Sequence, residues 1–359
     1  MNAIRNVGGK LVPALCFLVS SLAISPGHAE EPSLDQGKSP VGELARFTQT
    51  RVRMGVPFNI TVYAPDESTA NAALREAFGR IKELNATFSD YDPRSETRQI
   101  TKNATPGEPI SISDDMRRVL ALSRCVSQQS NGAFDVTVSP LVKLWRRSHR
   151  TKQKPTPEAI REARALVGWK NLELDTAAST VTFEQAGMEL DFGAIAKGDA
   201  CDEALRVLKS HGLTRAMVEA GGDLACGDPP PGKAGWIIAV EPLASSGKAS
   251  RKFVVVKNQG VATSGDAYQF VEFDGVRYSH IVDPRTGMGL TTRGSVTMIA
   301  PTGALADALA SAASVLGPED GKDLVESLEG VEMLMVTRDD SGETRTVMSD
   351  GFGAYLMEK

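Results

Sequence analysis

The chain is poor in several residue types, and each shortage excludes a class of protein. Its 359 residues include four Cys, too few for a disulfide-stapled scaffold. There is no Cys-x-x-Cys pair and there are four His, so a structural zinc site has no sequence basis. Aromatic residues make up 6%, and the formal net charge is −5, from 40 Lys+Arg against 45 Asp+Glu. A mildly acidic chain lacks the basic face that nucleic-acid binding requires, so no nucleic-acid partner is expected. No apolar run reaches the roughly 18 residues of a membrane span. Hydrophobic residues at 41% and charged residues at 24% suffice for a sizeable core.

The first residues read as an address and not as fold. Arg5 and Lys10 give a positive start, Leu11 to Ile24 is mostly apolar, and Gly27 and Ala29 place small residues before a cleavage point. Residues 1–29 are therefore expected to be a cleaved secretory signal peptide, which puts the mature protein in the periplasm or another extracytoplasmic space. Cys16 lies inside the apolar run behind Leu15, where lipidation needs a small residue, so no lipid anchor is expected. Cleavage leaves Cys125, Cys201 and Cys226, an odd set. Cys125 and Cys201 sit among apolar neighbours in helix-like segments and read as buried thiols.

Residues 30–50 read as a flexible tether, with the folded domain over 51–359. Phe58 to Tyr63 alternates as a strand, and Asp66 to Ala86 carries Leu74, Phe78 and Ile81 at helical spacing. Further helices are predicted over 113–130, from Thr156-Pro157 to Gly168, over 198–211 and over 304–316. Arg146 to Lys154, with five basic residues, reads as a solvated loop. Short strands are predicted at 216–219, 236–241, 253–257, 268–273, 295–300 and 331–337, with Asp274-Gly275 as a hairpin turn. Strands and helices mix without regular alternation. The expected class is α+β, one intertwined domain with mainly antiparallel sheet.

Chemistry-bearing residues gather in a few segments. Gly193-Ala194-Ile195-Ala196-Lys197-Gly198 opens a helix, and free helix-start amides beside a Lys suit an anion such as a phosphate. It lacks the Gly-Lys-Ser/Thr of a P-loop, and a plain strand-to-helix turn would look similar. Asp307 and Ser311 are four apart in a helical segment, so a carboxylate and a hydroxyl share one face. Such a pair can hold a hard cation, or Asp307 can simply cap a helix. His280 beside the turn Asp283-Pro284-Arg285-Thr286-Gly287 could be a base, a phosphate donor or a buttress. Tyr91 between Asp90 and Asp92 could stack on a planar ring or pack on the core.

Taken in order, GAFDVTVSPLV from Gly132, LDFGAIAKG from Leu190, Gly221-Gly222-Asp223, ATSGD from Ala262, YSHIVDPRTG from Tyr278 and ADALASAASVLG from Ala306 resemble the ApbE family of FAD:protein FMN transferases. The resemblance runs from about Arg53 to the C-terminus. It implies a T-fold-like α+β domain and Mg²⁺-dependent transfer, with Mn²⁺ the other candidate metal. FAD is the substrate, FMN is esterified onto a Thr or Ser of an acceptor flavoprotein, and AMP leaves. The acceptor is expected to be a membrane-associated redox subunit. The same residues would also serve an FAD pyrophosphatase yielding FMN and AMP, or a non-catalytic flavin carrier.

Position by position, the resemblance implies FAD contacts at Met54, Tyr91, Ala133, Phe134, Asp135, Asp191, Lys197, Thr263, Ser264, Gly265, Asp266 and Ile281. His280 falls near the reacting phosphate. Metal contacts fall on the Ala194 carbonyl, Asp307 and Ser311. Ala194 stands where the family has Gly and Ser311 where it has Thr, which keeps the carbonyl and the hydroxyl.

Overall fold

Alternation of buried and exposed residues along the strands sets the architecture. In chain order the elements are β1 (Ala45–Arg53), β2 (Val56–Ala64), α1 (Glu67–Phe88), α2 (Glu96–Asn103), β3 (Pro109–Ser111), α3 (Asp114–Gln129), α4 (Ser139–Thr151), α5 (Pro157–Ala165), β4 (Leu172–Asp175) and β5 (Thr180–Phe183). They continue with α6 (Ala196–Ser210), β6 (Ala216–Ala220), β7 (Asp223–Cys226), β8 (Trp236–Val240), β9 (Lys252–Val256), β10 (Gly260–Gly265), β11 (Phe270–Phe273), β12 (Val276–Ser279) and β13 (Arg293–Ala300). The last are α7 (Gly303–Leu316), α8 (Pro318–Glu326), β14 (Glu332–Arg338) and β15 (Thr344–Met348). This computed structural model describes residues 43–240, 252–265, 270–339 and 341–357. The described residues lie within one compact unit, Gly42–Lys359. The signal segment, the tether as far as residue 42, Asp266 and the start of the strand expected at 268 fall outside the described residues.

An eight-stranded sheet runs in the order β1-β2-β6-β7-β10-β13-β14-β15, every neighbouring pair antiparallel. One face carries Phe58, Ile60, Ala225, Ala262, Met298 and Met333, packed against α1, α6 and α7. The alternate positions Leu224, Cys226, Val261, Ile299 and Leu334 face the other way, onto Trp236, Ile238, Val254 and Phe352 around the β8–β9 hairpin. A smaller cluster of Leu141, Trp145, Val271, Tyr278 and Val282 ties α4 to the β11–β12 hairpin. Each fully buried side chain of this kind contributes about 1.5–3 kcal/mol. The α+β class with mainly antiparallel sheet is as expected.

Three expectations need correction. The tether expected through residue 50 ends earlier: β1 begins at Ala45 and pairs along its length with β2, from Ala45↔Ala64 to Arg53↔Val56. Arg146 to Thr151 is helical, because α4 buries Leu141, Trp145 and Ser148 along one side while Arg147 and Arg150 face solvent. Cys125 is exposed, because the buried stripe of α3 runs through Met116, Val119, Leu120, Ser123 and Val126 and misses it.

The crossing of α6 and α7 is unusually close. A Cβ at Gly198 would run into the Gly303 carbonyl, and one at Gly303 would stand 2.9 Å from the Gly198 oxygen. Alanines dominate the buried side of α7, with Ala304, Ala306, Ala308, Ala310, Ala312 and Ala313 all buried. Small residues on both helices let the backbones approach and set Asp307 against the start of α6.

Candidate active site

A cleft of about 450 Å³ opens where segments distant in sequence converge. The turn before α4 contributes Ala133, Phe134 and Asp135, and the α6 start contributes Asp191, Gly193, Ala194 and Lys197. The end of β10 supplies Thr263, Ser264 and Gly265, the chain after β12 supplies His280 and Ile281, and α7 supplies Asp307 and Ser311. Segments far apart in sequence thus meet as the motif order suggested. Met54 and Tyr91 do not line the cleft. Met54 sits in the β1–β2 turn at φ 47°, packed on the core beside the cleft-lining Val56. Tyr91 is exposed, with the Arg146 guanidinium 5.1 Å from its ring centre.

Two carboxylates and one ammonium form the floor. Lys197 Nζ lies 2.8 Å from Asp223 Oδ2 and 3.3 Å from Asp307 Oδ2, and it also donates to the Gly193 carbonyl at 3.3 Å. The Gly198 amide, in the first turn of α6, donates to Asp307 Oδ2 at 3.3 Å. The helix start that the sequence offers to a phosphate is therefore already served by Asp307. Burial alone would lower the Lys197 pKa, but the charges of Asp307 and Asp223 outweigh it and hold the ammonium protonated. Burial and the like charge of Asp307 push the Asp223 carboxyl well above the usual range, and Lys197 only partly offsets them. Despite the short approach of Lys197, Asp223 Oδ2 accepts no well-aligned hydrogen bond.

Asp223 was quoted in the Gly-Gly-Asp motif but given no role by sequence reasoning. Its signal is the tight β6–β7 turn, where Gly221 and Gly222 take φ of 59° and 104° and return the chain at the cleft. Arg146 was also missed, because its surroundings read as a loop. It lines the cleft, pairs with Asp90, and reaches Asp191 Oδ2 at 3.3 Å. Burial lifts the Asp191 carboxyl above its ordinary value, with Arg146 pulling it back and Asp90 adding to the lift.

Two expected contact residues also serve the local frame. Asp135 accepts from the Thr137 amide and hydroxyl at 2.8 and 2.6 Å and from the Trp169 amide at 2.8 Å, which fixes the turn before α4. Asp191 Oδ1 accepts from the Gly193 amide at 2.8 Å and shapes the turn into α6. Asp283 accepts from the Arg285 amide at 2.8 Å, and the Asp283 amide donates to Met288 at 2.9 Å. That turn holds the segment after β12 in place. His280, just after β12, is exposed at the cleft edge.

Among the described residues no cluster of three or more His, Cys, Asp or Glu could cage a metal. The floor nevertheless holds two carboxylates against one ammonium. Among the described residues the polar contacts of Asp307 fall on Oδ2, which leaves Oδ1 for another partner. Asp307, Ser311 and Ala194 all line the cleft, and a carboxylate, a hydroxyl and a backbone carbonyl are hard oxygen donors. They fit Mg²⁺, whose shell is commonly completed by water and substrate phosphate.

The ApbE family profile matches residues 54–335, and that match spans every segment of the cleft. The chain belongs to the ApbE family. It is 33% identical over 299 residues to the FAD:protein FMN transferase of Haemophilus influenzae, covering 80% of this chain and 86% of that one. It is 32% identical over 309 residues to the FAD:protein FMN transferase of Treponema pallidum, covering 82% and 85%. The flavin transferase ApbE from Vibrio cholerae superposes with a TM-score of 0.78 at 29% identity, over 87% of this chain and all of that one. The apo flavinyl transferase ApbE of Pseudomonas stutzeri gives 0.78 at 29% identity, over 89% and 99%.

Proposed function

We propose that this protein is an FAD:protein FMN transferase that attaches FMN through a phosphoester to a Thr or Ser hydroxyl of an acceptor flavoprotein and releases AMP. The transferase class follows from membership of the ApbE family. The observation that carries the mechanism is the pairing of a buried Lys197–Asp223–Asp307 floor with an exposed His280 at the edge of the same cleft. An acceptor protein cannot enter a 450 Å³ cleft, so the group receiving its proton has to be reachable from outside.

In the proposed reaction the acceptor oxygen forms a bond to the FMN phosphorus. The bond from that phosphorus to the bridging oxygen breaks, and AMP departs with the electron pair. His280 takes the hydroxyl proton. Lys197 supplies fixed positive charge beneath the pyrophosphate, and Asp191 with Arg146 shapes the wall before α6. Asp307, Ser311 and the Ala194 carbonyl would hold Mg²⁺, which when bound neutralises charge developing on phosphate oxygens. Most of the catalytic work is positioning and charge compensation, as phosphoryl transfer requires.

Water can reach an exposed His280 as an acceptor hydroxyl can, so hydrolysis of FAD to FMN and AMP is the competing outcome. Incubation with FAD, Mg²⁺ and a flavin-free candidate acceptor separates the readings. A fluorescent acceptor band that survives denaturation supports transfer, free FMN alone supports hydrolysis, and unchanged FAD points to a carrier. We further propose export to the periplasm and a membrane-associated redox subunit as acceptor. Mass spectrometry should find the mature N-terminus at Glu30; an intact Met1 or acylated Cys16 would contradict export by cleavage.

A further inference from the structure

Beneath the cleft, α6 and α7 are joined by a reciprocal pair of contacts. From α7, Asp307 accepts the Gly198 amide in the first turn of α6 at 3.3 Å. From α6, Asp202 accepts the first two amides of α7, Gly303 at 2.8 Å on Oδ1 and Ala304 at 2.9 Å on Oδ2. Each helix thus supplies a carboxylate to the other's N-terminus, where the aligned peptide dipoles favour negative charge. Between the two contacts lies the Gly198–Gly303 crossing, which admits no side chain.

The two carboxylates differ in one respect. Asp307 lines the cleft; Asp202 does not. Asp202 is five residues beyond Lys197 on α6, and the amides it holds lie three and four residues before Asp307 on α7. Rotation or sliding of the α7 start would move Asp307 away from Lys197 and Gly198. The Thr302 side chain also caps α7, accepting the Leu305 amide at 3.2 Å, but it makes no link to α6.

We infer that Asp202 is a positioning residue for metal binding: by fixing the start of α7 to α6, it sets where Asp307 presents its free oxygen. The inference rests on the reading of Asp307 and Ser311 as metal-holding groups. Residues that orient a metal ligand typically change metal affinity by about 10–100-fold when lost. A group that only stabilised the helix would change melting temperature and leave the affinity of the folded protein alone.

The test is titration of MgCl₂ into the FAD-free protein by calorimetry, with melting temperature recorded in parallel. Asp202→Ala should weaken Mg²⁺ binding about tenfold or more. Thr302→Ala, which removes a cap of the same helix without touching α6, should bind Mg²⁺ as the parent does. Gly303→Ala provides a second perturbation should Asp202→Ala fail to fold. Its Cβ would stand 2.9 Å from the Gly198 oxygen, so it should spread the crossing and also weaken binding. Unchanged affinity in Asp202→Ala or Gly303→Ala overturns the inference, and so does equal weakening in Thr302→Ala. If the parent protein binds no Mg²⁺, the metal reading of the site falls and the inference falls with it. Binding by the parent with no change in the variants removes the inference alone.

Discussion

Replacing Lys197 with Met retains most of the side-chain volume and removes the ammonium. In the native floor that ammonium stands 2.8 Å from Asp223 and 3.3 Å from Asp307, and among the described residues it is the one cation ion-paired with either. The variant leaves two buried carboxylates without a counterion. Breaking a buried pair by removing one partner typically costs about 3–5 kcal/mol. The cost should depend on pH with a definite sign. Loss of Lys197 removes what holds the Asp223 carboxyl down, so its pKa rises further. A carboxyl whose folded pKa lies above its unfolded value contributes stability at low pH and loses it as pH rises. Burial and Asp307 already lift Asp223 to about 7 in the parent, so the deficit should be smaller near pH 5 and grow by about 1.4 kcal/mol for each pH unit above about 7. Urea unfolding followed by Trp fluorescence, in chelator, measures it at pH 5 and pH 8. Equal stability of variant and parent at pH 8, or a deficit of the same size at both pH values, refutes the reasoning.

Asp307→Ala should abolish AMP release yet stay folded: Lys197 keeps Asp223, and the lost contact to Gly198 resembles a helix cap worth about 1 kcal/mol. Full activity of that variant in chelator-treated buffer would sink the metal assignment, and Ser311→Thr should be nearly neutral. His280→Ala should lower turnover by roughly 10²–10⁴ with FAD affinity nearly unchanged; near-normal turnover with a depressed melting temperature would make His280 a structural residue. Burial lifts Asp202 from 3.8 to about 6 against the amide bonds from Ala304 and Gly303. Its contribution to stability is thus full below about pH 4 and lost as pH rises through 6, a change of about 3 kcal/mol. The stability difference between the parent and Asp202→Asn should fall by up to that amount from pH 4 to 7, and a constant difference would contradict the shift.

Local periodicity made much of the fold legible. The 3.6-residue spacing of Leu74, Phe78 and Ile81 placed α1, observed at Glu67–Phe88, and Asp274-Gly275 marked the turn between β11 and β12. What stayed hidden depended on partners distant in sequence. β1 is half exposed, so little in its own pattern marks it as a strand until β2 pairs with it. The second half of α4, from Arg146, reads as a solvated basic loop because it has no apolar residue of its own; Leu141 and Trp145, which bury the helix, lie before it. Within the site, the motif order brought together Asp191, Lys197, Thr263, His280, Asp307 and Ser311. It did not reveal that Asp307 caps α6 or that Asp223 shares Lys197, because both depend on the glycine crossing and the sheet turn. Met54 and Tyr91 lie outside the cleft lining.

Transfer of FMN from FAD to a protein hydroxyl in this one cleft is tested most directly by following AMP and covalent flavin together, with and without acceptor, in the presence of Mg²⁺. AMP should appear mole for mole with acceptor-bound flavin, at a rate that depends on acceptor concentration. AMP released at the same rate without acceptor, accompanied by free FMN and no covalent flavin, would contradict it.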